Sequence, residues 1–242
     1  MLNAVILAGN SETEKIPGKA LADINGKPML SYVADAAEGS GMIDRILAVG
    51  NGEVGRFCDA NGLEFAEGNP DILENVMRGI ERFAGDSRII IMAGDIPYIT
   101  SDAIRDFIEK SEGVGVDFCY PIVAKNVCEQ KFPGAKRTYV TLKDGTFTGG
   151  NIFYLNPSII ERCMPVMRHA IENRKNPMKM GTLLGPGLIF AYLCKNLTIE
   201  MVEKKVCGML NITAKAIISD YAEIGNDVDK PEDLAMAKSI LE

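Results

Sequence analysis

The sequence predicts an α/β protein in which helices cover both faces of a mostly parallel central sheet, a three-layer sandwich. Three observations predict it. Short runs rich in branched apolar residues, such as Ala4–Ala8 and Arg45–Gly50, alternate with stretches of helical spacing. The run Arg88-Ile89-Ile90-Ile91-Met92-Ala93 is apolar almost throughout, as a strand covered on both sides must be. Gly9, Gly50 and Gly94-Asp95 close these runs, so each strand hands over to a loop at its carboxyl end.

Composition narrows the function classes. The chain has 242 residues, 47% hydrophobic and 24% charged, which suits one large α/β domain able to bury a sizeable core. A net charge of -7 without a Lys/Arg cluster argues against nucleic acid as a partner, since that affinity rests on neutralising phosphates. An anionic small molecule is compatible only where positive charge gathers in one pocket. The six cysteines include no Cys-x-x-Cys pair, so neither a zinc site nor a dithiol motif is signalled. No leader pattern opens the chain and no run approaches membrane-spanning length, so a cytoplasmic protein without a membrane partner is expected.

Taken in order, Ala4-Val5-Ile6-Leu7-Ala8 is too short for a stable helix and suits a buried strand, which Gly9 stops. Pro17, Gly18 and Lys19 stand in the polar loop that follows. A glycine-bearing loop after a buried strand can bring backbone N–H groups up to phosphate; the same residues also fit an ordinary strand-turn-helix start. Asn25-Gly26-Lys27-Pro28 reads as a turn, with Pro28 the first residue of a helix carrying Leu30, Val33, Ala34 and Ala37. Residues 45–50 form a second strand, 54–60 a short helix and 63–66 an edge strand. Asn69 is the expected N-cap of the next helix, with Pro70 at its first position. That helix carries Ile72, Val76, Ile80 and Phe83 inward and presents Glu74 and Asn75 in its first turn.

Asp95 closes the central strand, in the crevice where ligands gather beyond the carboxyl ends of an open α/β sheet. A carboxylate there suits Mg²⁺, which takes one or two carboxylates plus substrate phosphates. The other reading is a helix-capping aspartate, but Thr100 or Ser101 is available to cap the helix over 102–110. Residues 116–123 form a further strand. Residues 138–142 and 146–155 form an antiparallel pair about Lys143-Asp144-Gly145, expected to build a second, smaller layer. Gly149-Gly150-Asn151 interrupts it, as a bulge or a close backbone approach to a ligand. Lys125, Lys131, Lys136 and Arg137 precede it, either as scattered surface charges or as a patch facing an anionic acceptor. Residues 157–173 are helical, kinked or split by Pro165, and hold the single histidine, His169, read as structural or exposed. Residues 176–186 are a lid candidate, 188–194 and 199–210 are helices, and 214–219 is a last strand. The closing helix runs to Leu241, with Asp229 and Glu232 fitting a capping box.

Three pieces stand in fixed order: LAGN…PGKAL…GKPML, IMAGDIPYIT and DVDKPEDLAMA. Together they resemble the nucleotidyltransferase superfamily of GT-A type (nucleotide-diphospho-sugar transferase, Rossmann-like) fold. The branch they are most similar to holds molybdenum-cofactor nucleotidyltransferases and sugar-phosphate cytidylyltransferases. The resemblance implies a single domain over 1–242, with an NTP-binding core at about 1–124 and 215–242 and an acceptor-side insertion, hairpin and helices, at about 125–214. It implies that Leu7, Ala8, Gly9 and Asn10 wrap the NTP phosphates and that Lys19 neutralises the α-phosphate. It further implies that Asp95 and Asp229 hold Mg²⁺, with Asp227 as the fallback, and that Asn75 touches the base. Three departures stand out. Relatives carry Gly-Gly and an arginine in the first loop, where this chain has Gly9-Asn10 and only Lys15, and Glu12 and Glu14 put negative charge where triphosphate should lie.

The implied reaction is Mg²⁺-dependent transfer of an NMP from an NTP to a phosphorylated small molecule (a sugar phosphate, polyol phosphate or molybdopterin-like acceptor), with release of pyrophosphate. Lys19 and Asp95 are the implied catalytic pair, and a homo-oligomer is compatible with the sequence. A glycosyltransferase of the same fold would carry Asp-x-Asp after the central strand, where Gly94-Asp95-Ile96-Pro97 stands instead. A nucleotide-binding regulatory protein without turnover is the alternative that Glu12, Glu14 and the missing arginine allow.

Overall fold

A computed structural model describes residues 1–9, 15–173 and 185–241. The expectations about Asn10, Glu12 and Glu14, and most of the 176–186 loop, lie outside those residues. The strands are β1 (Leu2–Ala8), β2 (Asp23–Ile24), β3 (Lys27–Pro28), β4 (Ile43–Gly50), β5 (Glu64–Glu67) and β6 (Ile89–Ala93), followed by β7 (Phe118–Ala124), β8 (Val140–Leu142), β9 (Gly145–Gly149), β10 (Ile152–Leu155) and β11 (Ala214–Ser219). Nine of them make one sheet in the order β5-β4-β1-β6-β10-β7-β9-β8, with β11 parallel to β7. β2 and β3 form a separate hairpin.

The sheet is covered on both sides, as a mostly parallel sheet requires. Ala4, Ile6 and Ala8 of β1 face a core shared with α1 (Met29–Gly39), α2 (Gly52–Asn61) and α4 (Ser101–Val114). Val5 faces the opposite core, shared with α3 (Ile72–Arg82) and α6 (Ile160–Asn173). This period-two split within one strand is what places helices in two layers. Among the described residues the remaining α-helices are α5 (Lys125–Lys131), α7 (Pro186–Leu193), α8 (Ile199–Leu210) and α9 (Pro231–Ile240). Among the described residues no helix is long and apolar enough to cross a membrane.

Several local expectations need correction. The 138–155 hairpin is no second layer: β9 and β10 both pair with β7, and β10 also pairs antiparallel with β6. The central strand therefore has a parallel neighbour on one side only. Pro28 ends β3 in extended conformation (ψ 143°) and precedes α1 instead of opening it. Asn69 does not cap α3, because its carboxamide accepts from the Asp71 N–H in a local turn; Asp71 caps the helix by accepting from the Leu73 N–H. Ile72, expected inward, is 42% exposed. Pro165 sits inside an unbroken α6. At Gly149 and Gly150 the close neighbours are protein: an added Cβ would lie 1.6 Å from Tyr120 Oη and 2.5 Å from Ile224 Cγ2, respectively.

Candidate active site

The site forms where the ends of two strands, the turn at Lys19 and the tail meet. The Gly94 N–H donates to the Leu7 carbonyl at 2.9 Å, which sets the ends of β1 and β6 side by side. The Val228 N–H donates to the Asp95 carbonyl at 2.9 Å and lays the tail across the end of β6. Gly18 takes a left-handed conformation (φ 60°), open to glycine at little cost, and starts a single 3-10 turn, Lys19–Leu21. The Lys19 ammonium, at the head of that turn, donates to Asp95 Oδ2 at 2.5 Å and to Asp229 Oδ1 at 2.8 Å.

Among the described residues the helix caps beside these carboxylates are made by other side chains. Thr100 Oγ1 accepts from the Ala103 N–H and caps α4, so Asp95 does not. Asp233, and not the expected Asp229 with Glu232, serves α9: its carboxylate accepts from the N–H groups of Asp229 and Lys230. Burial alone would make the Lys19 ammonium easier to deprotonate; the Asp95 charge and the hydrogen bonds to Asp229 and Asp95 outweigh it and raise its pKa well above the ordinary lysine value.

Asp227 completes a group of three. One oxygen each from Asp95, Asp227 and Asp229 lies within 4.8 Å of the others. All-oxygen donors at that spread fit a hard divalent cation, whose ligands stand about 2.0–2.6 Å from the ion and thus about 4–5 Å from each other across it. The Lys19 ammonium already shows that a cation is favoured there. Burial, with the Asp95 and Asp229 charges, pushes the Asp227 carboxyl up to about 6, against the pull of Arg137. The Arg137 guanidinium donates through Nη1 to Asn226 Oδ1 (2.8 Å) and through Nη2 to Asp227 Oδ1 (3.1 Å). A cavity of about 250 Å³ opens beside these groups, with Tyr98, Arg137, Thr148, Asn226, Asp227 and Lys230 among its lining residues.

The structure thus brings Lys19, Asp95 and Asp229 together. Leu7 and Ala8 end β1, and Gly9 follows them beside Asn75. The buried Asn75 carboxamide donates to the Asn69 carbonyl and accepts from the Asn69 N–H, both at 2.8 Å, so both of its polar atoms are engaged by one backbone unit. Lys15 is exposed. Lys27 bonds Asp35 and lies over the Tyr32 ring, where it serves the hairpin and α1. Of the four basic residues in the 125–137 connection, Lys136 and Arg137 line the cavity, while Lys125 pairs with Glu129 and Lys131 with Glu223. Tyr98 and Asn226 carried no signal in sequence; only the fold sets them beside Arg137 at one cavity.

Residues 4–176 match the MobA-like NTP transferase domain. The chain belongs to that family. Its members are nucleotidyltransferases, in keeping with the crevice just described. Over 105 residues the chain is 33% identical to the 3-deoxy-manno-octulosonate cytidylyltransferase of Colwellia psychrerythraea, a match that takes in 41% of this chain and 38% of that protein. Over 97% of its length it superposes on the whole of a hypothetical transferase from Thermus thermophilus, with TM-score 0.82 and 31% identity. It also shares the fold of a CMP:2-keto-3-deoxy-manno-octonic acid synthetase solved in complex with CTP. That likeness covers 99% of this chain and 98% of the synthetase, with TM-score 0.62 and 15% identity.

Proposed function

We propose that this chain transfers an NMP from an NTP, with CTP the first base to test, to a phosphorylated sugar-like or polyol acceptor and releases pyrophosphate. The observation that carries the reading is the Lys19 ammonium held between Asp95 and Asp229 at the carboxyl end of the sheet. The CTP preference is supported by the cytidylyltransferase named above and by the CTP bound to the synthetase of the same fold. The core over 1–124 and 215–242 would take the nucleotide, and the 125–214 stretch, which contributes Arg137, would face the acceptor.

In this reading the acceptor's phosphate oxygen attacks the α-phosphorus in line, the bond from that phosphorus to the bridging oxygen breaks, and pyrophosphate leaves with the electron pair. No protein base is required, because a phosphate is already anionic. Lys19 offsets the charge that accumulates on the α-phosphate oxygens, and its two carboxylate partners orient it. Asp95 and Asp229, with Asp227 beside them, would hold Mg²⁺, which supplies charge neutralisation on the phosphates when bound. Leu7, Ala8 and Gly9 would present backbone to the triphosphate, with Asn10 and Lys15 continuing that loop. Asn75 would shape the base side by fixing Asn69.

Pyrophosphate release, measured with four NTPs against a panel of sugar and polyol phosphates in Mg²⁺, tests the reading. Lys19→Ala and Asp95→Asn are each expected to lower turnover by ~10²-fold or more, the scale of one lost charge-stabilising group. Near-normal turnover in either variant under saturating Mg²⁺ removes that residue from the chemistry.

A further inference from the structure

Among the described residues Glu223 is the one charged residue held in the core, 1% exposed. A carboxylate so placed is costly unless it is paired and hydrogen-bonded. Its partners come from two other elements. Thr100 Oγ1 donates to Glu223 Oε1 at 3.0 Å, and the Lys131 ammonium lies 3.1 Å from Oε1 and 3.0 Å from Oε2. A well-packed neutral group often serves stability as well as a buried ion pair does, so stability alone does not account for a charge here.

Each partner stands on a segment that leads to the carboxylate cluster. Thr100 follows Asp95 through the buried residues Ile96, Tyr98 and Ile99, in a turn closed by the Ile99 N–H on the Ile96 carbonyl. Thr100 also accepts from the Ala103 N–H, so the cap of α4 and the tie to Glu223 share one hydroxyl. Lys131 ends α5, on the connection that brings Arg137 to Asp227. Glu223 itself lies in the 3-10 turn Ala222–Gly225, and its carbonyl accepts from the Asn226 N–H beside Asp227. Close-packed connections of this kind transmit a shift instead of absorbing it.

We propose that Glu223 is a positioning residue for the cation site. By tying Thr100 and Lys131 it fixes where Asp227 and Asp229 stand relative to Asp95, and so sets the affinity for a divalent ion. It is not one of the three carboxylates that would hold that ion. The inference deepens the nucleotidyl-transfer reading, on whose cation site it rests.

The test is Mn²⁺ binding to the full chain, followed by the EPR signal of the free ion, with and without α,β-methylene-CTP. Wild type is compared with Glu223→Gln and Lys131→Met. Both substitutions break the same tie, but they change the charge in opposite directions. Through space alone, loss of the Glu223 charge would weaken Mn²⁺ binding and loss of the Lys131 charge would tighten it. The expected result is weakening in both, by about tenfold, the lower end of what groups behind metal ligands contribute. Gly79→Ala, which crowds α3 against Val5 of β1, is expected to leave Mn²⁺ binding unchanged. Tighter or unchanged binding in Lys131→Met, unchanged binding in Glu223→Gln, or equal weakening in Gly79→Ala overturns the positioning role. Should Glu223→Gln fail to fold, Lys131→Met and Gly79→Ala decide by the same criteria. A wild-type chain that binds no Mn²⁺ in either condition overturns the cation site and this inference with it. Weakening in both variants of a chain that releases no pyrophosphate retains the inference and rejects the nucleotidyl-transfer reading.

Discussion

At the scale of single residues, Asn75 shows how one buried carboxamide can fix a neighbouring stretch of backbone. Its amide nitrogen would sit 2.7 Å from a Cβ on Gly9, and its oxygen 3.1 Å from one on Gly68. The absence of side chains at 9 and 68 is therefore tied to the presence of Asn75. Gly9→Ala should cost about 1–3 kcal/mol through overpacking, and Asn75→Ala about the same by leaving the Asn69 N–H and C=O unmatched. The double variant should cost less than the sum, since truncating Asn75 makes room for the new methyl group. Urea unfolding of the four proteins measures this coupling; strict additivity would show that the two positions do not meet. Sequence pointed to Asn75, but from a resemblance to base contacts, and nothing in a string of letters shows that its carboxamide is committed to Asn69.

At the scale of elements, α3 lies against β1 through a glycine. A Cβ at Gly79 would come within 2.4 Å of Val5 Cγ1. In an exposed helix Gly→Ala stabilises by about 1 kcal/mol; here we expect Gly79→Ala to destabilise by about 1–3 kcal/mol, with part of the loss restored in Val5→Ala, Gly79→Ala. Chemical unfolding reads both the sign and the rescue. The same helix is tied to the sheet edge through Glu64 of β5, which accepts from Arg45 of β4 and Arg82 of α3. The hydrogen bond from Arg45 leads, with Arg82 adding to it, in holding the Glu64 carboxyl below its ordinary 4.5. A carboxylate with a depressed folded-state pKa contributes fully above the unfolded value and loses that contribution as pH falls through the folded one. Glu64→Gln should therefore cost about 0.5–1 kcal/mol at pH 7, the range of a good surface pair, and the gap should close as pH drops below 4.5. A gap independent of pH, followed by thermal unfolding across that range, would assign the loss to packing.

Across the whole molecule, what sequence conveyed was periodicity and what it withheld was adjacency. The strands at 2–8, 43–50, 89–93 and 214–219 could be read because buried strands leave runs of branched apolar residues. That Lys19, Asp95 and Asp229 share one crevice was implied by the family resemblance that the three ordered motifs carry. Asp227 was named as the fallback metal ligand and Arg137 as one of four charges that could face an acceptor, but not as partners, because what brings them together is the pairing of β9 and β10 with β7 and the Asn151 N–H donating to the Ile224 carbonyl. A hairpin reads the same whether it extends a sheet or stands apart, and only the long-range partners decide.

The position of β10 also bears on how the chain is made. It is the slat between β6 and β7, yet it follows both in sequence. While a ribosome is still adding residues 94–151, the finished β1–β6 half must wait with Ile89–Ala93 exposing an unpaired apolar edge. Such an edge invites pairing with other chains. Co-translational protection by a chaperone over that interval, and a refolding rate set by late capture of Ile152–Leu155, are what this threading order demands of the cell.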